Sequence, residues 1–360
     1  MMKRIILFAL CLVMAVSACL AEGTPAVSNR YKATMFNEIP EKTMKKLFTE
    51  YMAQGYRVEY DTGRAWCPDL VMGGEGTWLY GEEIGDSEQI RACREIAENL
   101  YRAVYPGCEP ELVSAMSYRD FCLRDIAFFR NLELKDGQWC YLGVPITHEM
   151  EGALKLAGLL GADSREKAEQ TDPSWIILHY HPAAAGGLPL GLNIYSSERY
   201  CNNYACMTTF IFDGNNRIIS ADMGGCFTAE PVKEAGINVS EEEALSIARD
   251  YLAKQKAMYP TRYGFDWGAY VGEPYVYNAL LKELGWSSIR AESALDEDSG
   301  RLVMFMDSKW HLQPAWEFHE SMNIFADGQV VQDHFQGGMS YTYVSAEDGT
   351  PGLESRAPGV

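Results

Sequence analysis

The sequence predicts an α+β fold made of two units, each a helix followed by antiparallel strands. Two observations carry this prediction. Residues 207–225 and 322–338 each contain an apolar strand, an Asp-Gly pair and a second strand, which is typical of a β-hairpin. Helical spacing of apolar residues precedes the strands in both halves. A duplication would relate the two units, and chance similarity of two short hairpins is the alternative.

Helices are predicted where apolar residues recur every three or four positions. In the first half this spacing occurs at 44–52 and at 87–105. In the second half Ser240 and Glu243 form a capping box at the start of a helix over 240–258. The later strands are expected at 287–295, 301–306, 315–326 and 329–335.

The hydrophilic stretch 229–238 predicts a domain boundary. The first α+β domain is then expected at 39–228 and the second at 239–338. The remaining residues, 339–360, end in PGLESRAPGV, and their composition predicts a disordered tail.

Residues 1–18 have the pattern of a secretory signal peptide. Lys3 and Arg4 precede a twelve-residue apolar run, which is too short for a typical membrane-spanning helix. The following segment Val-Ser-Ala-Cys resembles the lipobox of bacterial lipoproteins, which implies a lipid on Cys19 and a tether over 19–38. Ordinary cleavage, with Cys19 incidental, is the alternative.

The charge of the chain argues against one class of partner. The formal net charge is −19, and removal of Lys3 and Arg4 with the leader changes it to −21. Nucleic-acid phosphates would repel such a chain. The expected partners are therefore the membrane, reached through the lipid, and a protein, peptide or glycan.

Eight cysteines remain after the leader and Cys19 are set aside. No Cys-x-x-Cys pair occurs among them, so neither redox work nor a zinc knuckle is indicated. In an exported chain an even number permits disulfides, and one to three are expected, with the pairing left open. The eight are Cys67, Cys93, Cys108, Cys122, Cys140, Cys201, Cys206 and Cys226.

The strongest candidate for chemistry is the pair His179 and His181. Alternate residues of a strand share a face, and two imidazoles at this spacing can hold a metal ion. His148, with Glu149 or Glu151, could complete such a site. No HExxH signature supports it, so two strand histidines with ordinary neighbours are the simpler interpretation. We therefore expect no metal, no other cofactor and no catalytic residue.

Two other features have a structural and a functional interpretation. His311, His319 and His334 lie among the late strands, where a polar sheet face explains them. Tyr, Trp and Gly are dense at 66–80 and 262–278, as in loops that stack on sugars or peptides. Covering a sheet is the simpler role for these aromatic residues.

The second half resembles a PepSY-type module over residues 239–335. The matching parts are the helix INVSEEEALSIARDYL and the strand and turn in QPAWEFHESMNIFADGQVV. The insert between them is long for that family. The resemblance implies a secreted or surface protein of a bacterium that binds or restrains an extracytoplasmic protease and has no agreed catalytic residues. The whole chain is similar to uncharacterised exported lipoproteins of Firmicutes.

The sequence therefore predicts a non-enzymatic, lipid-anchored extracytoplasmic protein that binds a peptide, protein or glycan at the cell surface. Regulation of a protease is one form this binding could take. The alternative is a metal-dependent hydrolase that uses His179 and His181.

Overall fold

A computed structural model confirms the α+β fold. It describes residues 27–35, 41–61, 63–70, 84–123, 132–156, 169–183, 185–191, 207–223, 226–271, 274–307 and 309–353. The helices are α1 (Glu41–Leu47), α2 (Thr49–Ala53), α3 (Glu88–Val104), α4 (His148–Leu156), α5 (Glu241–Met258), α6 (Pro260–Tyr263), α7 (Trp267–Val271) and α8 (Pro274–Leu284).

Sixteen strands are present in this part of the chain. They are β1 (Val27–Met35), β2 (Glu59–Asp61), β3 (Arg64–Trp66), β4 (Pro110–Ser117), β5 (Leu132–Lys135), β6 (Gln138–Tyr141), β7 (Val144–Pro145), β8 (Ile176–Pro182), β9 (Thr208–Phe212), β10 (Ile218–Met223), β11 (Phe227–Gly236), β12 (Gly264–Asp266), β13 (Ile289–Leu295), β14 (Arg301–Met306), β15 (His311–Ala326) and β16 (Gln329–Ser345).

The strands form two large sheets and one small one. The six-stranded sheet has the order β2-β3-β10-β9-β8-β4. The seven-stranded sheet has the order β11-β1-β15-β13-β12, with β14 and β16 also paired to β15. Strands β5, β6 and β7 form the third sheet. All strand pairs within these sheets are antiparallel, as expected for an α+β fold.

Serine caps start the two longest helices. The Ser87 hydroxyl accepts a hydrogen bond from the Ile90 backbone N–H at 3.1 Å, before α3. The Ser240 hydroxyl accepts one from the Glu243 N–H at 3.3 Å, before α5. Each cap satisfies a backbone donor that the first turn of a helix leaves free. The predicted helix starts are therefore confirmed. No helix in the described ranges is long and apolar enough to cross a membrane.

The predicted tether, boundary and tail are wrong where the structure describes them. Residues 27–35 are not a tether, because β1 lies between β11 and β15. The expected boundary at 229–238 is largely β11 itself. The tail is ordered to residue 353: β16 continues to Ser345, and the Gly352 N–H then donates to the Tyr343 carbonyl.

The two predicted units share one hydrophobic core. Apolar side chains from both halves belong to the same buried cluster. At its centre, the Trp267 indole N–H donates to the Tyr141 hydroxyl at 2.8 Å, and both residues are buried. Helix α8 also packs against α4. The halves are therefore joined by packing and not only by a linker.

The Asp-Gly turns are of two kinds. Asp327 and Gly328 have φ values of 50° and 80°, the conformation of a two-residue hairpin turn. Asp213 begins a longer turn, in which its carboxylate accepts hydrogen bonds from the backbone N–H groups of Asn215 and Arg217. The hairpins exist as predicted, but their turns are not equivalent.

Candidate functional site

His179 and His181 lie on β8, the strand next to the edge strand β4 of the six-stranded sheet. Their exposed fractions are only 1% and 2%. Side chains two residues apart on a strand share a face. The other face of the sheet packs on helix α3, where the Tyr180 ring contacts the Tyr101 ring. The two histidines therefore occupy the face away from that helix, as the sequence predicts for a shared face.

A row of polar side chains crosses the sheet at His179. Strand register places Ser114 of β4 and Thr209 of β9 on either side of it. The Ser114 hydroxyl and His179 Nδ1 are 2.8 Å apart, and the Phe121 ring packs against the imidazole. Within the described residues, His179 Nε2 and the Thr209 hydroxyl have no hydrogen-bond partner. The row is thus only partly paired.

Burial keeps both imidazoles neutral. It lowers the pKa of His179 to about 3, with a further contribution from His181. Burial also lowers the pKa of His181 to about 4. A neutral imidazole has one donor and one acceptor nitrogen. Like His179, His181 has no partner for Nε2 in the described part of the chain. Each of the two neutral imidazoles can therefore make one further hydrogen bond through Nε2.

A cavity of ≈ 270 Å³ lies beside His181. Glu111 of β4, which is opposite His181 in the strand register, also lines it. Leu190 and Arg301 close the side nearest the seven-stranded sheet. Burial raises the pKa of Glu111, since desolvation disfavours the carboxylate. The cavity therefore lies between the two large sheets and carries acidic, imidazole and guanidinium groups.

The charge of Arg301 is compensated on its own sheet. Its Nε donates to the Glu317 carboxylate at 2.7 Å, and the buried Tyr343 hydroxyl donates to the second oxygen of the same group at 2.5 Å. Next to this cluster, the backbone of residue 191 hydrogen-bonds to β14. A Cβ on Gly191 would lie 3.0 Å from both Glu317 and Tyr343, so this close approach favours glycine.

The structure does not bring the predicted metal-binding residues together. His148 is exposed at the start of α4, which packs on α8. Among the described residues, no three His, Cys, Asp or Glu side chains are arranged to hold a metal ion. His179 and His181 remain a pair on one face without an observed third ligand.

The other predicted features have structural partners or lie outside the described ranges. His311 Nδ1 is 3.3 Å from an Asp307 carboxylate oxygen, and the His319 ring contacts Tyr341. The side chain of His334, residues 71–80, and residues 1–26 with the leader and Cys19 are not described.

The aromatic segment 262–278 contributes mainly to the interior. Trp267 is buried and stacks on Phe265. The Tyr277 hydroxyl accepts a hydrogen bond from the Ile289 N–H at 3.0 Å. Tyr275 is exposed. Phe265, Trp267 and Tyr277 therefore have partners within the fold, which agrees with the simpler interpretation for these three rings.

Sequence reasoning missed Glu111, Ser114 and Arg301. The first two lie on β4, a strand that was not predicted, and they meet the histidines only through its pairing with β8. Arg301 comes from the other sheet. The alternation of His179 with His181 was the one signal of the site in the sequence.

Comparisons with known proteins assign no family. A scan against protein-family models finds no match, and a search of curated proteins finds none. Among solved structures, the chain is similar to an uncharacterized protein from Eubacterium rectale ATCC 33656. The likeness covers 90% of this chain and 85% of that chain, with 12% identity and a TM-score of 0.36. A likeness of this size transfers no function.

Proposed function

We propose that the chain is an exported, lipid-anchored binding protein without catalytic activity, and that it takes one group of a peptide, protein or glycan into the cavity beside His181. The observation that carries the proposal is a buried, neutral imidazole with an unpartnered nitrogen at the border of this cavity. Leaving such a group unpaired costs about 1–3 kcal/mol, which a ligand hydrogen bond would offset.

The lining disfavours an anionic ligand group. Glu317 already compensates the Arg301 charge, and the raised pKa of Glu111 reflects desolvation without a compensating cation. An anionic ligand group would therefore find the Arg301 charge already paired, whereas a neutral or cationic group could bind beside Glu111. The volume of ≈ 270 Å³ is at the small end for ligand sites, and it suits one side chain or one sugar ring.

A binding screen tests this proposal. The protein without residues 1–19 is applied to peptide and glycan arrays and to extracytoplasmic proteases, which the PepSY-like segment makes relevant candidates. Each ligand found is then titrated against His181→Leu and Glu111→Leu. We expect at least a tenfold weaker Kd for both variants, because each loses a hydrogen-bonding group of the cavity.

The exposed residue His311 provides the matched control. His311→Leu removes an imidazole of the same kind from a surface position, and we expect it to leave the Kd unchanged. If the screen yields no ligand, or if His181→Leu binds as tightly as the control, the cavity is not the binding site.

The alternative hydrolase retains one supporting observation: two neutral imidazoles share a face and both have an unpartnered Nε2. A catalytic zinc site normally has three protein ligands, and the described residues supply only these two. The alternative predicts stoichiometric zinc in protein purified without chelator and its loss in His179→Ala/His181→Ala. Wild-type protein without zinc, or a variant that retains it, would rule the hydrolase out.

The lipid anchor has a separate test. We propose that Cys19 carries the lipid, which rests on the lipobox-like residues before it. The Cys19→Ala protein should lose the acyl mass and move from the membrane fraction to the soluble fraction. Unchanged fractionation would show that another feature holds the protein at the membrane.

A further inference from the structure

Two of the buried cysteines meet at the junction of the two large sheets. Cys108 follows helix α3, and Cys226 lies just before β11. The Cys108 Sγ is 3.3 Å from the Phe227 carbonyl oxygen, and the Cys226 Sγ is 3.8 Å from the same oxygen.

Other buried thiols have different neighbours. The Cys93 Sγ contacts the Asn216 side-chain oxygen at 3.6 Å, and the Cys140 Sγ contacts the Gln138 carbonyl at 3.8 Å. Eight cysteines allow many pairings in the sequence, but geometry requires two sulfurs that can approach bonding distance. The sulfurs of Cys108 and Cys226 contact the same backbone oxygen, that of Phe227, which places the two side chains close together.

We propose that Cys108 and Cys226 form a disulfide in the exported protein, fastening the loop after α3 to strand β11. The proposal rests on export to an oxidising compartment. Both thiols are buried in the fold, so the bond forms during folding, before they are covered.

The reaction is thiol–disulfide exchange with an external disulfide, either a small molecule or a disulfide-carrying oxidoreductase. The Cys108 thiolate attacks that disulfide and releases one thiolate, leaving a mixed disulfide on Cys108. The Cys226 thiolate then attacks the Cys108 sulfur and releases the second. The two protein thiols lose two protons and two electrons, and the external disulfide is reduced to two thiols.

The fold does not set the order of attack, because the bond forms before the two thiols are covered. Attack by Cys226 first, followed by Cys108, gives the same disulfide and the same products.

The bond would constrain the part of the chain that carries the candidate site. Between the two cysteines lie β4, β8, β9 and β10, including both histidine positions. A crosslink that closes a loop of roughly 120 residues removes much of the freedom of the unfolded chain. Its main consequence is resistance to unfolding outside the cell.

Peptide mapping tests the pairing directly. The full chain is refolded from the reduced, denatured state in a glutathione redox buffer, alkylated under denaturing conditions, and digested with trypsin. Peptides 103–119 and 218–233 each contain a single cysteine, Cys108 and Cys226. We expect a linked mass for these two peptides that disappears on reduction. Recovery of both as alkylated thiols, or linked to other cysteines, would overturn the proposal.

Variants add a stability measurement. Cys108→Ser and Cys226→Ser should each abolish the linked mass and lower the Tm by roughly 5–10 °C. Cys93→Ser, a change at another buried cysteine, should retain the link. The assignment would be contradicted if the linked mass were lost in Cys93→Ser as well, or if it persisted in Cys108→Ser or Cys226→Ser.

The same mapping on lipoprotein isolated from cell membranes separates the pairing from export. A linked mass there supports both. If the link forms on refolding and is absent from the cell-derived protein, the pairing geometry stands while the proposed export to an oxidising compartment is overturned.

Discussion

Two rows of side chains cross the two large sheets, and they differ in how completely their polar atoms are paired. In the seven-stranded sheet, Arg301, Glu317 and Tyr343 stand side by side on β14, β15 and β16. Glu317 is buried, and its two carboxylate oxygens accept hydrogen bonds from the two neighbours. This row is closed.

We call the row in the six-stranded sheet open, because some of its buried polar atoms have no hydrogen-bond partner among the described residues. Ser114 and Thr209 flank His179 there, and only the Ser114–His179 contact at 2.8 Å is made within the described residues. His179 Nε2 and the Thr209 hydroxyl are left over. Two residues along the strand, the Nε2 atom of His181 is also buried without a partner in the described part of the chain.

The difference separates a structural arrangement from a candidate binding one. A fully paired buried cluster fixes strand register and has no capacity for a further ligand. Unpaired buried polar atoms are uncommon in native structures and call for an explanation. Here one of the residues with such an atom, His181, lines a cavity, so ligand binding is the explanation that we propose. Measurements of the unfolding free energy of variants in the two rows test this distinction.

The largest effect is expected at the centre of the closed row. Glu317→Ala leaves the Arg301 guanidinium and the Tyr343 hydroxyl without their shared acceptor. Breaking a buried, hydrogen-bonded ion pair from one side costs about 3–5 kcal/mol. Because Arg301 is itself about a quarter exposed, we expect about 3 kcal/mol of lost unfolding free energy, measured by urea denaturation.

A surface pair of the same chemistry is the control. Glu297 pairs with Arg249, and both side chains are about half exposed. Solvent screens such pairs, so Glu297→Ala should hardly move the urea midpoint. Similar shifts for the two variants would mean that the closed row is not a stabilising cluster.

The second-largest effect is expected from the two histidines of the six-stranded sheet, in the pH dependence of the unfolding free energy. The folded-state pKa values of His179 and His181 are about 3 and about 4, below the ordinary value of 6.5. Between these values the unfolded chain binds more protons than the folded chain. Stability is therefore full above pH 6.5 and falls as pH drops toward 4, by up to about 2 kcal/mol per histidine between pH 6.5 and 5.

The double variant His179→Leu/His181→Leu isolates this contribution. Urea midpoints at pH 7.5, 6.5 and 5 should fall less steeply for the variant than for the wild type. Glu111, whose pKa is raised, titrates in both proteins and largely cancels in the comparison. Parallel curves would show that the imidazoles are not held neutral by burial.

The contrast between the rows also shows what the sequence could predict. Local patterns were sufficient for the Ser240 cap, for strand β14 and for the shared face of His179 and His181. Each depends on residues a few positions apart, where propensity and spacing act directly.

Pairing between distant strands was not predictable in the same way. Ser114 reaches His179 only because a bulge at Val113 sets the β4–β8 register. β1 joins the C-terminal half of the chain from the opposite end of the sequence. The register of a strand and the choice of its partner depend on packing across the whole core, so patterns of neighbouring residues do not specify them.

The smallest effects are expected from two matched changes that remove a buried hydroxyl and keep the side-chain shape. Thr342 and Thr209 are 2% and 5% exposed. The Thr342 hydroxyl donates to the Glu320 carboxylate at 2.5 Å, whereas the Thr209 hydroxyl has no partner among the described residues. Thr342→Val should lower the unfolding free energy by about 1–3 kcal/mol, because it leaves a buried carboxylate oxygen without its donor.

Thr209→Val should have no such cost. It replaces an unpaired hydroxyl with a methyl group, which removes a desolvated polar atom and breaks no hydrogen bond within the protein. We therefore expect an unfolding free energy equal to that of the wild type or higher by up to about 1 kcal/mol, again from urea denaturation. A loss as large as that of Thr342→Val would mean that Thr209 is paired in solution. The contrast between the two rows would then rest on His179 Nε2 and His181 Nε2 alone.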